Sequence, residues 1–128
     1  LPELLAFVEA QAQAALPAKA AMEVVLAAEE VLMNVITHAY PAGGGEVRLS
    51  AEATDAPRGL RLAVADDGIA FDPLAAADPD VNAPLEERGI GGLGILLVKR
   101  MMDRVAYERR GGENRLMMEK LAEKGDAP

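Results

Sequence analysis

Leu60-Arg-Leu-Ala-Val-Ala-Asp66, followed at once by Asp67-Gly-Ile-Ala-Phe-Asp-Pro73, is where this chain of 128 residues declares its architecture. Leu60, Leu62 and Val64 recur every second residue, the period of a strand with one buried face. The alternation stops at Asp66, and Gly68 and Pro73 mark the exit from the strand. Upstream, Glu46 to Thr54 alternates in the same way, with Val47, Leu49, Ala51 and Ala53 on one face. Asp55-Ala-Pro-Arg-Gly59 between the two runs has turn composition, so they read as an antiparallel pair.

The flanks read as helices and a second hairpin. Pro2 to about Leu16 has the apolar spacing of a helix, and Pro17 breaks it. A longer helix is predicted from about Ala18 to Ala39, ended by Tyr40-Pro41 because the residue before Pro leaves helical geometry. Gly43-Gly44-Gly45 is a flexible turn. Residues 67–93 form a long irregular segment, of the kind that in small domains is functional or disordered. Gly94 to about Met102 is a helix, Val105 to Arg109 a strand, Gly111-Gly112 a hairpin turn and Arg115 to Leu121 the last strand. The order ααββ-loop-αββ, without repeats or linkers, implies one α+β domain over 1–128. It is a two-layer α/β sandwich, a mostly antiparallel sheet with helices packed on one face; 123–128 reads as a disordered tail.

Composition excludes whole classes of chemistry. With 21 acidic and 13 basic side chains the net charge is −8, which argues against a phosphate-backbone binder and any direct contact with nucleic acid. Aromatic residues are 3% of the chain, too few for a base-stacking platform. The absence of Cys removes disulfides, thiolate metal sites and cysteine nucleophiles together, and one His excludes a multi-histidine site within the chain. No apolar run approaches the ~20 residues of a membrane helix, and no signal peptide opens the chain, so the reading is a cytoplasmic protein without membrane contact. Leu1 in place of Met fits a domain cut from a longer chain.

Three places could carry chemistry. On the second helix Glu30 and Asn34 lie only about 40° apart around the axis. They share a polar face turned away from the stripe of Val24, Val25, Ala28, Val31, Leu32, Val35 and Ile36. A carboxylate one turn before an amide oxygen can deprotonate a hydroxyl and ligate a hard cation; a solvated helix face is the plain alternative. Glu29 lies nearer the apolar edge and is the weaker candidate. His38, in the last turn, reads as a cation complementing the helix dipole. Asp66-Asp67-Gly68 at a strand end can face a ligand that the backbone approaches closely, or simply form an Asx turn. Arg88-Gly-Ile-Gly-Gly-Leu-Gly94, opening a helix, frees backbone N–H groups to cradle a phosphate, or acts as a hinge. Its spacing fits neither a dinucleotide fingerprint nor a P-loop.

In this order, Glu-x-x-x-Asn on a helix, Asp-x-Gly after a strand and Gly-x-Gly opening a second helix resemble the Bergerat-fold, histidine-kinase-like ATPases. Within them the chain looks most like the anti-sigma-factor serine/threonine kinases. Glu30-Val-Leu-Met-Asn34-Val-Ile-Thr-His-Ala-Tyr40 and Gly91-Gly-Leu-Gly94-Ile-Leu-Leu-Val-Lys-Arg-Met-Met-Asp103 match best, and the likeness spans roughly residues 4–122. The resemblance implies ATP and Mg²⁺ as ligands. Glu30 would be the general base, and Asn34 the Mg²⁺ ligand. Asp66 would accept from the adenine amino group with Gly68 letting the base approach. Gly91, Gly92, Leu93 and Gly94 would surround the phosphates. Residues 74–91 would form the ATP lid, with Arg88 reaching the phosphates from it. The implied substrate is a Ser or Thr of an anti-anti-sigma regulator, a sigma factor would be sequestered, and a homodimer is in keeping with the family. A non-catalytic nucleotide-gated binding module and a detached catalytic domain of a two-component histidine kinase stay open as alternatives. His38 lies inside the helix motif and no phosphoacceptor helix pair precedes it, so this chain alone is not a complete sensor kinase. Two departures stand out: Ala70 replaces a glycine often found after Asp-x-Gly, and Asn114 and Arg115 occupy the region where a Thr is often found.

Overall fold

The computed structural model describes residues 2–39, 45–55, 57–75 and 92–122. Two helices lead, α1 (Pro2–Ala15) and α2 (Ala18–Asn34), followed directly by a π-helical turn over Val35–Ala39. Strands β1 (Val47–Thr54) and β2 (Gly59–Asp66) come next, then α3 (Gly92–Met101), β3 (Arg104–Arg110) and β4 (Glu113–Leu121). The sheet runs β1-β2-β4-β3 and every neighbouring pair is antiparallel. This is the predicted α+β sandwich, with helices on one face.

Strand periodicity decides that face. Leu60, Leu62 and Val64 of β2 are at most 1% exposed, and Leu116 and Met118 of β4 lie beside them in the same layer. Onto it α2 presses Val24, Ala27, Ala28, Val31 and Leu32, α1 adds Val8 and Ala12, and α3 adds Val98. Each fully buried branched side chain contributes about 1.5–3 kcal/mol. The small Ala faces let the helices approach closely, which is how a chain with so few aromatic side chains still fills its core. Lys120 is buried in this layer but satisfied: Nζ donates to Met101 O at 2.5 Å, a free carbonyl at the end of α3, and pairs with Glu23 at 3.2 Å. Gly111 and Gly112, at φ +58° and +76°, make the tight β3–β4 turn that only glycine adopts without strain.

The long second helix differs from expectation at its end. Val35-Ile36-Thr37 is a run of three β-branched residues, which crowd an α-helical turn. There the Val35 amide is shared between Leu32 O and Val31 O, and the ladder widens into the π turn. Ile36, expected in the apolar stripe, is exposed as a result. Most of the predicted lid, with Arg88 and Gly91, and the tail at 123–128 lie outside the described residues. No helix among the described residues is long and apolar enough to cross a membrane.

Replacing Leu62 by Ala should lower unfolding stability by about 3 kcal/mol. Leu97→Ala, on the exposed side of α3, should change it by less than ~0.5 kcal/mol. Urea denaturation of the two variants separates them, and equal effects would contradict the assignment of the core layer.

Candidate functional site

Glu30 and Asn34 do share a face of α2, but not a solvated one. Both are half-buried, whereas Glu29 is exposed. Asn34 Nδ2 donates to Glu30 O one turn back at 2.9 Å, which orients the amide, and among the described residues nothing donates to Oδ1. The Glu30 carboxylate lies against Gly94 in the first turn of α3. A Cβ built there would overlap Glu30 Oε2 and stand 3.0 Å from the carboxyl carbon. The space that Gly94 leaves by lacking a Cβ is occupied by the Glu30 carboxylate. A side chain at position 94 would have to push the Glu30 carboxylate aside, so the glycine lets that carboxylate rest against the N-terminal turn of α3 and its positive dipole end.

Asp66 ends β2 at 3% exposure, and the loop behind it is tied down by polar contacts. Its Oδ1 accepts from Gly68 N at 3.0 Å and from Asn114 Nδ2 at 2.9 Å. The Asx turn foreseen as the plain alternative is thus present, but it engages only one oxygen. Among the described residues nothing donates to Oδ2. Asn114, 4% exposed on β4, uses every position it has. Nδ2 also donates to Ile69 O at 2.8 Å, while Oδ1 accepts from Phe71 N at 3.1 Å and from the Tyr107 hydroxyl at 2.5 Å. Arg109 Nη1 holds Gly68 O at 2.8 Å from the neighbouring strand. Asp72 Oδ1 accepts from Leu74 N at 2.8 Å and closes the next turn.

The two halves meet through an aromatic contact. His38, carried on the π turn beyond Asn34, stacks on Phe71 with ring centroids 4.7 Å apart and planes 24° from parallel. So α2 bridges the Asp66 loop at one end and the start of α3 alongside. Of the residues singled out from sequence, Glu30, Asn34 and Gly94 come together directly, and Asp66 with Gly68 joins them through Phe71 and His38. Gly92 and Leu93 stand at the head of α3, while Arg88 and Gly91 are outside the described residues. His38, read from the sequence only through its place in the last helical turn, has a packing partner in Phe71. Phe71 and Tyr107 were missed, and Asn114 was noted only as a departure. Carrying the two strand alternations through to register would have found Asn114, since it pairs with Asp66.

A divalent cation fits the donors present. The Asn34 Oδ1 is a hard oxygen whose direction is set by the bond from Nδ2 to Glu30 O. Mg²⁺ suits such a place, because it keeps water and takes phosphate oxygens with one or two protein ligands.

The fold and this arrangement define a nucleotide-binding domain of the histidine kinase-like type. The chain belongs to the histidine kinase-like ATPase domain family, whose model matches residues 1–120, and that membership implies ATP as its nucleotide. It is 34% identical over 94 residues to serine/threonine-protein kinase BtrW of Bordetella bronchiseptica, an alignment covering 73% of this chain and 65% of that protein. Serine-protein kinase RsbW of Bacillus cereus is 29% identical over 96 residues, covering 72% and 59%. The chain thus spans less than two thirds of the length of the curated relatives it matches. Among solved structures, the Erythrobacter litoralis EL346 blue-light activated histidine kinase superposes with a TM-score of 0.62 at 21% identity, over 84% of this chain and 32% of that one. The histidine kinase domain of the same protein gives 0.57 at 22% identity, over 81% and 48%. Both share the fold.

Asn114→Ala leaves Phe71 N and the Tyr107 hydroxyl without their acceptor and removes a donor from Asp66, so it should cost about 2–3 kcal/mol. Tyr107→Phe, which leaves the amide satisfied on three sides, should cost about 1 kcal/mol. Thermal and urea unfolding measure both, and an Asn114→Ala variant as stable as the parent would contradict the clamp.

Proposed function

We propose that the chain is the ATP-binding catalytic domain of an anti-sigma-factor type serine/threonine kinase. It moves the ATP γ-phosphate to a Ser or Thr of an anti-anti-sigma regulator and sequesters a sigma factor. The observation that carries the reading is the contact of Gly94 with the Glu30 carboxylate, which sets a candidate base beside the helix end suited to phosphates. The names of the relatives, both protein kinases of serine or threonine, support the substrate class.

In this reading the chemistry is positioning and charge neutralisation. Glu30 takes the proton of the attacking hydroxyl, whose oxygen bonds to phosphorus as the bond to ADP breaks. The amides at the head of α3 receive the phosphates, and Gly94 keeps that approach open. Asn34 would hold Mg²⁺ through Oδ1, and the ion when bound offsets the phosphate charge that a −8 chain otherwise opposes. Asp66 reads the adenine amino group with Oδ2, its other oxygen being spent on Asn114 and Gly68. Residues 74–91, with Arg88, act as the lid over the nucleotide.

Incubation with labelled Mg·ATP and an anti-anti-sigma domain should give a phosphoserine or phosphothreonine product and ADP. Glu30→Gln should slow transfer by ~100-fold or more while nucleotide affinity changes little. Transfer at the parent rate would remove Glu30 from the base role. Asn34→Ala should weaken Mg·ATP binding, and an unchanged dissociation constant would remove it from the metal site. The unmodified protein should prefer ATP to GTP by at least ~10-fold, because a guanine presents a carbonyl to an Asp66 oxygen that can only accept. Equal binding of the two nucleotides would contradict the Asp66 assignment.

A further inference from the structure

Asp66 and Asn114 pair at one end of β2 and β4, and Gly59 and Leu121 pair at the other, about 24 Å further along the strands. Helices α2 and α3 cross the sheet in opposite directions between these ends. Glu30 of α2 meets Gly94 at the start of α3, while Lys120 ties Glu23, near the start of α2, to Met101 O at the end of α3. Where α2 begins, α3 ends and β4 runs out lies a depression of about 270 Å³, with Pro17, Lys19, Glu23, Arg100, Lys120 and Leu121 in its lining. Its charge is opposite to that of the chain as a whole. The sequence has 21 acids against 13 bases, yet this lining has three cations and one acid. Glu23 is spent on Lys120, at 3.2 Å. Lys19 and Arg100 are exposed, and among the described residues their side chains have no ion-pair or hydrogen-bond partner. Lys120, 5% exposed, has three N–H donors, of which Met101 O and Glu23 take two.

We propose that this depression binds a phosphate dianion, free or as the head of a small phosphomonoester. With Lys120 balanced by Glu23, the unpaired Lys19 and Arg100 leave two positive charges, which a dianion matches. The Arg100 guanidinium offers two parallel donors to two phosphate oxygens, and the Lys19 ammonium adds a point charge on a flexible stem. A singly charged carboxylate would leave one of the two cations unanswered. The volume lies below the range of about 300–1,000 Å³ that takes drug-sized ligands, so the occupant is a phosphate with at most a few further atoms. Bound there, the dianion draws the first turn of α2 and the last turn of α3 to one centre. It braces, at their far ends, the two helices that meet again at Glu30 and Gly94. The nucleotide site shares none of these residues, so the proposal stands apart from the kinase reading.

The test is a ¹H–¹⁵N NMR titration of the nucleotide-free chain at about pH 8, where both probes are dianions. The probes are inorganic phosphate and, separately, glycerol 3-phosphate, with ionic strength held constant by NaCl. Saturable shifts are expected at the amides of Lys19, Ala20, Arg100, Leu121 and Ala122, half complete near ~1 mM. Tighter binding of glycerol 3-phosphate identifies an ester as the occupant, and equal binding identifies the free ion. Lys19→Glu and Arg100→Glu, both at exposed positions, should leave the circular dichroism spectrum unchanged and each weaken binding by about tenfold or more. Shifts at these amides that do not saturate by about 20 mM overturn the proposal. So do shifts confined to Asp66–Phe71 and Gly94, which place the anion in the nucleotide site alone, and an affinity unchanged in either charge-reversed variant.

Discussion

The register of β2 against β4 is the constraint on which the rest depends. Leu62 beside Met118 and Val64 beside Leu116 form the floor of the core, and two residues further the same register sets Asp66 beside Asn114. Side chains alternate along a strand, so a slip of one residue would move the core set to the outer face and separate the two polar partners together. Core and site are therefore fixed by one pairing. The buried amide of Asn114 also anchors the loop that follows, through Ile69 O and Phe71 N. A loop whose backbone groups are satisfied by a buried side chain starts from a defined position when a ligand arrives.

Helix α2 carries the second half of the arrangement. One side is pressed into the sheet by Val24, Ala28, Val31 and Leu32, and the neighbouring side carries Asn34 and offers Glu30 to α3. The burial that fixes the helix also fixes the direction of its polar pair, which a surface helix could not do. The π turn then swings His38 onto Phe71, linking α2 to the loop clamped by Asn114.

Much of this was legible in the sequence. The two-residue alternation through Leu60–Val64 and the glycine pair at 111–112 gave strand existence, hairpins and layer order, because burial on one face leaves a period. The family was legible because three motifs stand in a fixed order. Less legible were features that arise from tertiary pairing. A solvated face was the plain alternative for Glu30 and Asn34, whereas both are half-buried and Glu30 lies against Gly94 of α3. Asn114 read as a departure from a pattern, since nothing local says that an Asn on the last strand will meet an Asp 48 residues earlier. The widening at Val35 depends on the balance of crowding and packing at one turn, which propensity does not resolve.

The net charge of −8 first argued against a polyanionic ligand. In the proposed reading the phosphates meet helix amides and a metal, neither of which a charge count registers. The most direct measurement is a ¹H–¹⁵N NMR titration of the chain with Mg²⁺ and a non-hydrolysable ATP analogue. The account expects shifts concentrated at Asn34, at Asp66 to Phe71, at Gly94 and at Asn114, with Ser50, Ala63 and Met117 on the opposite sheet face unmoved. Saturable binding that shifts the outer face and leaves the Asp66 and Gly94 amides in place would contradict it.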